Sequence, residues 1–126
     1  MKYILDTNIC IYIIKKKPLQ TLKNFVAHSR EKLCISAITL AELEFGACKS
    51  SNPTKNKLAL MIFLSGIKIL PFDEKAATEY GDIRAQLERR GTPIGANGLL
   101  IAAHARSLNL ILVTNNLKEF ERVDNL

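Results

Sequence analysis

The chain is poor in the features that mark special classes, and each absence excludes something. Glycine (6) and proline (4) are scarce among 126 residues, so collagen-like and low-complexity classes are out. Cysteine occurs three times, at Cys10, Cys34 and Cys48, with wide gaps and no CxxC pair. That odd, scattered set excludes a disulfide framework and a zinc site, and predicts small buried hydrophobes in a reducing cytoplasm. No apolar run approaches the ~20 residues needed to span a bilayer. The apolar N-terminal stretch resembles a leader only superficially. Asp6 and Asn8 interrupt it, and Lys15, Lys16 and Lys17 follow it instead of preceding it. There is no P-loop, no glycine-rich strand-turn, and no Ser-His-Asp or Cys-His arrangement. His28 and His104 stand apart from any such set and read as surface or interface residues.

What remains is an ordinary globular composition, 48% hydrophobic and 24% charged, in a length that predicts one domain over residues 1–126. The net charge is +6, unevenly spread. Residues 1–72 hold 11 basic and 4 acidic side chains, whereas residues 73–126 hold 7 and 8. A basic half favours a polyanionic partner, although solubility alone explains such a balance equally well.

Four short apolar runs end abruptly in polar or turn residues. They are Tyr3-Ile4-Leu5 before Asp6, Leu33 to Ser36, Ile67 to Leu70 before Pro71, and Leu110 to Val113 before Thr114-Asn115-Asn116. Each reads as a buried strand. Between them lie helical patterns. One starts at Thr7 or Asn8, and a second opens at Pro18 with Leu19, Leu22, Phe25 and Val26 as its stripe. A third runs from about Thr39 to Cys48, with Thr39 and Glu42 as a capping box. A fourth carries Leu58, Met61, Ile62 and Leu64. A fifth is capped by Asp73 and closed by Gly91, with Ala76, Tyr80, Ile83 and Leu87 on one face. Residues 91–97 read as a loop, Leu99 to Ser107 as a buried helix, and Leu117 to Arg122 as a short last one. Strands alternating with helices predict an α/β fold, a three-layer α/β/α arrangement around a parallel sheet of four to five strands.

Open parallel sheets bind ligands beyond the carboxyl ends of their strands. That directs attention to Asp6, Thr7, Asn8, Ser36, Glu42, Thr114, Asn115 and Asn116. Asp6 follows a buried strand, and a lone buried carboxylate must be capped, paired or metal-bound. A helix-capping role explains it equally well. Glu42 lies one turn past the second strand, whereas Glu44 points about 200° away around the helix. Two carboxylates in one crevice repel unless a hard cation lies between them, and oxygen-only ligands suit Mg²⁺ or Mn²⁺. Such a cation beside a basic surface is the arrangement that cuts phosphodiesters. Lys15, Lys16 and Lys17 read as a solvated helix end, with a phosphate contact as the lesser reading.

Several segments together resemble a known family. They are Ile4-Leu5-Asp6-Thr7-Asn8, Ile35-Ser36 with Thr39-Leu40-Ala41-Glu42-Leu43 and Gly46, Ile94-Gly95-Ala96-Asn97 before Leu99-Leu100-Ile101-Ala102-Ala103-His104-Ala105, and Val113-Thr114-Asn115-Asn116 with Glu119-Phe120-Glu121-Arg122-Val123. In order, over essentially the whole chain, they are similar to the PIN-domain ribonuclease toxins of the VapC group. The resemblance implies a PIN-like fold and a Mg²⁺- or Mn²⁺-dependent endoribonuclease. It also implies the toxin half of a bacterial toxin–antitoxin pair that cuts structured RNA such as tRNA or rRNA loops. Asp6 and Glu42 match the first two family acids. Asn116 stands where many members carry a fourth, and Glu119 is its expected substitute. Thr7, Asn8, Thr114 and Asn116 are expected to hold the acids in place. The implied partners are a VapB-type antitoxin, RNA and a second copy of the chain; no membrane is implied.

One position departs from the pattern. The third family acid is an aspartate directly after the Gly-Ala-Asn loop, and here that position is Gly98. Loss of a carboxylate is expected to weaken metal binding and attenuate cleavage. Glycine is also a poor choice near a helix start, where aspartate is favoured. The alternative is a binding protein that keeps the RNA and antitoxin surfaces without the chemistry. A phosphatase or phospho-acceptor domain fits worse: Asn8 occupies the position where a haloacid-dehalogenase fold needs a second aspartate, and the late lysine of a receiver fold is missing.

Overall fold

Why the chain folds into layers is visible in its first strand. Residues 3–16 and 32–126 are described by the computed structural model. In β1 (Tyr3–Leu5), Ile4 and Leu5 point to opposite faces of the sheet and both are buried, so the sheet needs helices on each side. The chain then runs α1 (Thr7–Lys16), β2 (Leu33–Ser36), α2 (Ala37–Lys49), α3 (Pro53–Leu64), β3 (Lys68–Leu70), α4 (Glu74–Arg90), α5 (Ala96–Ser107), β4 (Ile111–Val113) and α6 (Leu117–Phe120). The helix expected from Pro18 lies outside the described residues, as does His28.

The four strands are all parallel, in the order β3-β2-β1-β4. Leu5 and Ile35 face a core built with Cys10, Ile13, Leu43 and Phe63 of α1, α2 and α3. Ile4, Cys34 and Leu70 face the other way, against Ala105 of α5. Helices α4 and α5 pack along each other there, joined by Ile83, Leu87, Leu99, Ala103 and Phe120. The arrangement is the expected three-layer α/β/α sandwich. Sequence order reverses at β1, since β2 and β3 lie to one side and β4 to the other. The carboxyl ends of β1 and β4 therefore flank the crevice where such sheets bind ligands.

Several expectations are corrected. The helix after β2 begins at Ala37, with the Ser36 hydroxyl accepting the Ile38 N–H at 3.1 Å, so Ser36 is the cap and Thr39 lies inside the helix. The α3 helix buries Leu60 and Phe63, leaving Leu58 and Met61 in solvent. Its residues are apolar nearly all round, so spacing does not single out the core face. Cys10 and Cys34 are buried as expected, but Cys48 is exposed. His104 is buried in α5, edge-on to Phe72 with ring centroids 5.5 Å apart, and not on the surface. Residues 96 and 97 belong to α5 and not to a loop. Gly91 closes α4 as expected, in the left-handed conformation at φ 71°. Among the described residues, no helix is long and apolar enough to cross a membrane.

Candidate active site

Asp6 is the fixed point of the crevice. It directly follows β1, is only 4% exposed, and its N–H continues the ladder to the Val113 carbonyl at 3.1 Å. One carboxylate oxygen, Oδ1, accepts the Ile9 N–H at 2.8 Å and so caps α1. The other, Oδ2, accepts the Thr114 hydroxyl from the end of β4. Thr114 Oγ1 in turn accepts the Asn116 N–H at 2.9 Å. Capping and presentation to the crevice are therefore compatible. Each carboxylate oxygen has a second lone pair left after these bonds. Asp6 also helps burial to push the neighbouring Cys10 thiol well above its ordinary range, so that cysteine stays protonated and inert.

Glu42 reaches the same cavity from α2. The Thr7 hydroxyl donates to buried Thr39 at 3.3 Å, which ties the start of α1 to the first turn of α2. Glu42 is three residues on, hence on the stripe beside Thr39, where it borders the cavity. With Ser36 capping the helix, Glu42 has no capping duty. Among the described residues, no hydrogen bond or ion pair engages its carboxylate. Glu44 is exposed and does not line the cavity.

The cavity is about 340 Å³ and brings together Asp6, Thr7, Asn8, Glu42, Asn116 and Glu119. Gly98 and Asn97 line its far side from the start of α5. Glu119 is doubly held: Oε1 accepts the Gly95 N–H at 2.9 Å, and Oε2 accepts the Asn116 amide at 2.6 Å. It thereby caps α5, whose own N-cap residue, Gly95, offers no side chain. A Cβ added to Gly98 would lie 2.9 Å from Glu119 Oε1. The carboxylate of Glu119 thus fills the space that a side chain at position 98 would enter.

The donor chemistry fits a hard divalent cation. It is oxygen-only, with one free carboxylate on Glu42 and spare lone pairs on Asp6. The set is short, however: among the described residues, no three His, Cys, Asp or Glu side chains converge closely enough to hold a metal.

Lys15 lines an adjoining cavity of about 500 Å³, which shares Ile11, Glu42, Gly46 and Lys49 with the first. The side chain of Lys16, and Lys17 altogether, lie outside the described residues. Sequence reading missed Phe45 and Lys49, which line the acid cavity on the same α2 face as Glu42. Their spacing from Glu42, three and seven residues, was the available signal.

Comparison with known proteins is decisive. The sequence profile of the PIN domain matches residues 3–126. The chain is a PIN domain of the VapC group. It is 51% identical over 123 residues to Ribonuclease VapC2 of Haemophilus influenzae, covering 98% of this chain and 92% of that protein. It is 49% identical over 126 residues to the tRNA(fMet)-specific endonuclease VapC of Shigella flexneri, covering all of this chain and 95% of that one. Among solved structures, DNA-bound VapBC from Salmonella typhimurium superposes with a TM-score of 0.91 at 44% identity, covering 100% of this chain and 95% of that one. VapBC2 from Rickettsia felis, bound to a DNA fragment from its promoter, gives 0.89 at 45%, covering 100% and 96%. Both structures are VapBC complexes. PIN-domain nucleases as a class work with divalent metal ions, in keeping with the oxygen-only donors of this cavity.

Proposed function

We propose that this PIN domain is an endoribonuclease toxin, acting in the cytoplasm on structured RNA such as a tRNA or rRNA loop and restrained by a VapB-type antitoxin. The observation that carries the reading is the meeting of Asp6 and Glu42, 36 positions apart in sequence, in one cavity at the switch point of the sheet. Names of relatives add weight: a ribonuclease and a tRNA(fMet)-specific endonuclease at about half identity.

Asp6 and Glu42 would bind Mg²⁺ or Mn²⁺, with Glu119 as the third acid once it leaves Gly95. The cation, when bound, supplies an activated water and offsets charge developing on the phosphate. The chain's own residues do the positioning. Thr114 fixes the Asp6 carboxylate, the Thr7–Thr39 hydrogen bond sets α2 against β1, and Asn116 orients Glu119. Thr7 and Asn8 form the wall beside Asp6. Lys15, Lys16 and Lys17 lie in the basic half and would meet phosphates.

We further propose that Gly98 attenuates this chemistry, because the family acid is missing and Glu119 is spent as a helix cap. A non-catalytic reading, in which the chain only binds RNA and antitoxin, is favoured by the same short donor set. One experiment separates the two: incubation with total tRNA in Mg²⁺, Mn²⁺ or EDTA, for the chain itself and its Asp6→Asn version. Metal-dependent fragments that vanish in EDTA and in Asp6→Asn support the nuclease. RNA binding without fragments at any metal concentration would establish the binder.

A further inference from the structure

Helix α2 buries Thr39, Leu43 and Ala47, and these satisfy its core face. A second row runs along the cavity side of the same helix: Glu42, Phe45, Gly46 and Lys49, at the i, i+3, i+4 and i+7 positions that share one stripe. Among the described residues, none of this row is buried in the core. Phe45 is 60% exposed, an expensive way to place an aromatic ring. Lys49 holds its ammonium 4.9 Å from the ring centroid. Between them, Gly46 sits in a helix interior, where glycine is among the poorest helix formers. Its surroundings do not require it, because a Cβ there would meet no atom within 4 Å. An alanine would fit and hold the helix better, so the bare backbone keeps open a space that none of the described residues fills. Gly46 and Lys49 line both cavities, and the joint furrow runs from Asp6 past Glu42, over Gly46, to Lys15.

We propose that this row is the track for the RNA strand entering the acid cavity, with Phe45 as a stacking platform for one unpaired base beside the scissile phosphate. The proposal rests on the endoribonuclease reading for its substrate. Seven residues of helix carry the row about 10 Å from Glu42, the reach of neighbouring nucleotides along a strand. An exposed ring with a cation on its face matches an unstacked base and its phosphate, because every base has a π-face and every linkage a negative charge. As the base takes the ring, Lys49 exchanges the ring for a phosphate oxygen. Gly46 allows the strand to lie close to the helix, and Lys15 meets the next phosphate. An apolar peptide would fill the furrow beside Ile11 and Leu60 but would bring no anion to Lys15 and Lys49. The track therefore selects single-stranded RNA with a base free to turn outward, as in a loop, over a paired stem.

The test uses an RNA hairpin with 2-aminopurine in its loop, titrated with the whole chain in EDTA so that nothing is cut. Binding should quench the 2-aminopurine, and Phe45→Leu should abolish the quench and weaken binding roughly 5- to 100-fold. Phe45→Tyr should restore both. Lys49→Gln should lower the salt slope of log Kd by about 0.7. Gly46→Leu, a better helix former, should melt higher yet bind more weakly. The proposal is overturned if Phe45→Leu quenches and binds like its parent, if Gly46→Leu leaves affinity unchanged, or if Phe45→Leu loses only the capture of an antitoxin. The nuclease reading is judged separately, by cutting of the same hairpin by the Gly98→Asp version in Mn²⁺. Quenching without such cutting would defeat that reading and leave the platform standing. With cutting, Phe45→Leu should raise KM far more than it lowers kcat.

Discussion

The Glu119 carboxylate occupies the space beside Gly98 that a side chain would need: a Cβ at position 98 would lie 2.9 Å from Glu119 Oε1. The clash falls on the tip of a side chain that two hydrogen bonds hold, so an aspartate at 98 has to displace Glu119 and free it from Gly95. Gly98→Asp is therefore expected to add an acid to Asp6 and Glu42 and to release Glu119 as a further one. Isothermal titration with Mn²⁺ should show at least tenfold tighter binding, about 1.4 kcal/mol. RNA cleavage should rise with it. Equal metal affinity and equal cleavage in the two proteins would remove Gly98 as the cause of attenuation.

The same substitution should act on stability in a metal-dependent way. An aspartate in the first turn of α5 complements the helix dipole, but without a cation it also faces Glu119 and Asp6. Thermal melting in EDTA should thus change little. Addition of Mn²⁺ should raise the melting temperature more for Gly98→Asp than for the parent.

Two changes at Asp6 separate its structural role from its chemical one. Asp6→Asn keeps an oxygen to cap α1 but loses the charge, so urea midpoints should move little while metal binding and cleavage disappear. Asp6→Ala loses the cap and strands the Thr114 hydroxyl, which should cost about 1–3 kcal/mol in urea unfolding. Matching stabilities for the two variants would show that the Ile9 and Thr114 hydrogen bonds contribute nothing.

Thr114→Val tests the support of Asp6 from β4. The hydroxyl both donates to Asp6 and accepts from Asn116, so its loss leaves the Asn116 N–H without this acceptor. A loss of about 1–2 kcal/mol in unfolding is expected, together with weaker metal binding. Metal affinity equal to the parent's would mean that Asp6 holds its place without Thr114.

Burial holds the His104 imidazole below its ordinary value of 6.5, with nearby Asp73 opposing only in part, and its Nδ1 has no hydrogen-bond partner among the described residues. The unfolded chain then takes up a proton at a pH where the native state does not. Stability is full above about 6.5 and falls as the pH drops below it, by up to about 1.4 kcal/mol per pH unit for this group. Urea midpoints between pH 7 and 5 should decline more steeply for the parent than for His104→Leu. Parallel declines would assign the acid sensitivity elsewhere.

Elements whose signals are local were legible in the sequence. Asp6 could be placed because an apolar strand stops at it, Gly91 because a left-handed closure favours glycine, and Glu42 because one helical turn separates it from a strand end. What was not legible depends on distant partners. Thr39 and Glu42 form a convincing capping pattern, yet Ser36 takes the cap because the Thr39 hydroxyl meets Thr7, 32 residues earlier. The start of α5 at Ala96 was hidden because its cap is supplied by Glu119, 24 residues past Gly95. His104 read as a surface group because no rule of spacing reveals its edge-on packing against Phe72, 32 residues earlier.

The anchoring acid directly follows an inner strand of the sheet, while position 98 sits on the crevice wall, outside the sheet and the described buried clusters. On the proposed reading, the difference between an active and an attenuated site is a single side chain that the packed layers do not need. On that reading, such a site could be switched off and restored without disturbing the fold that carries it.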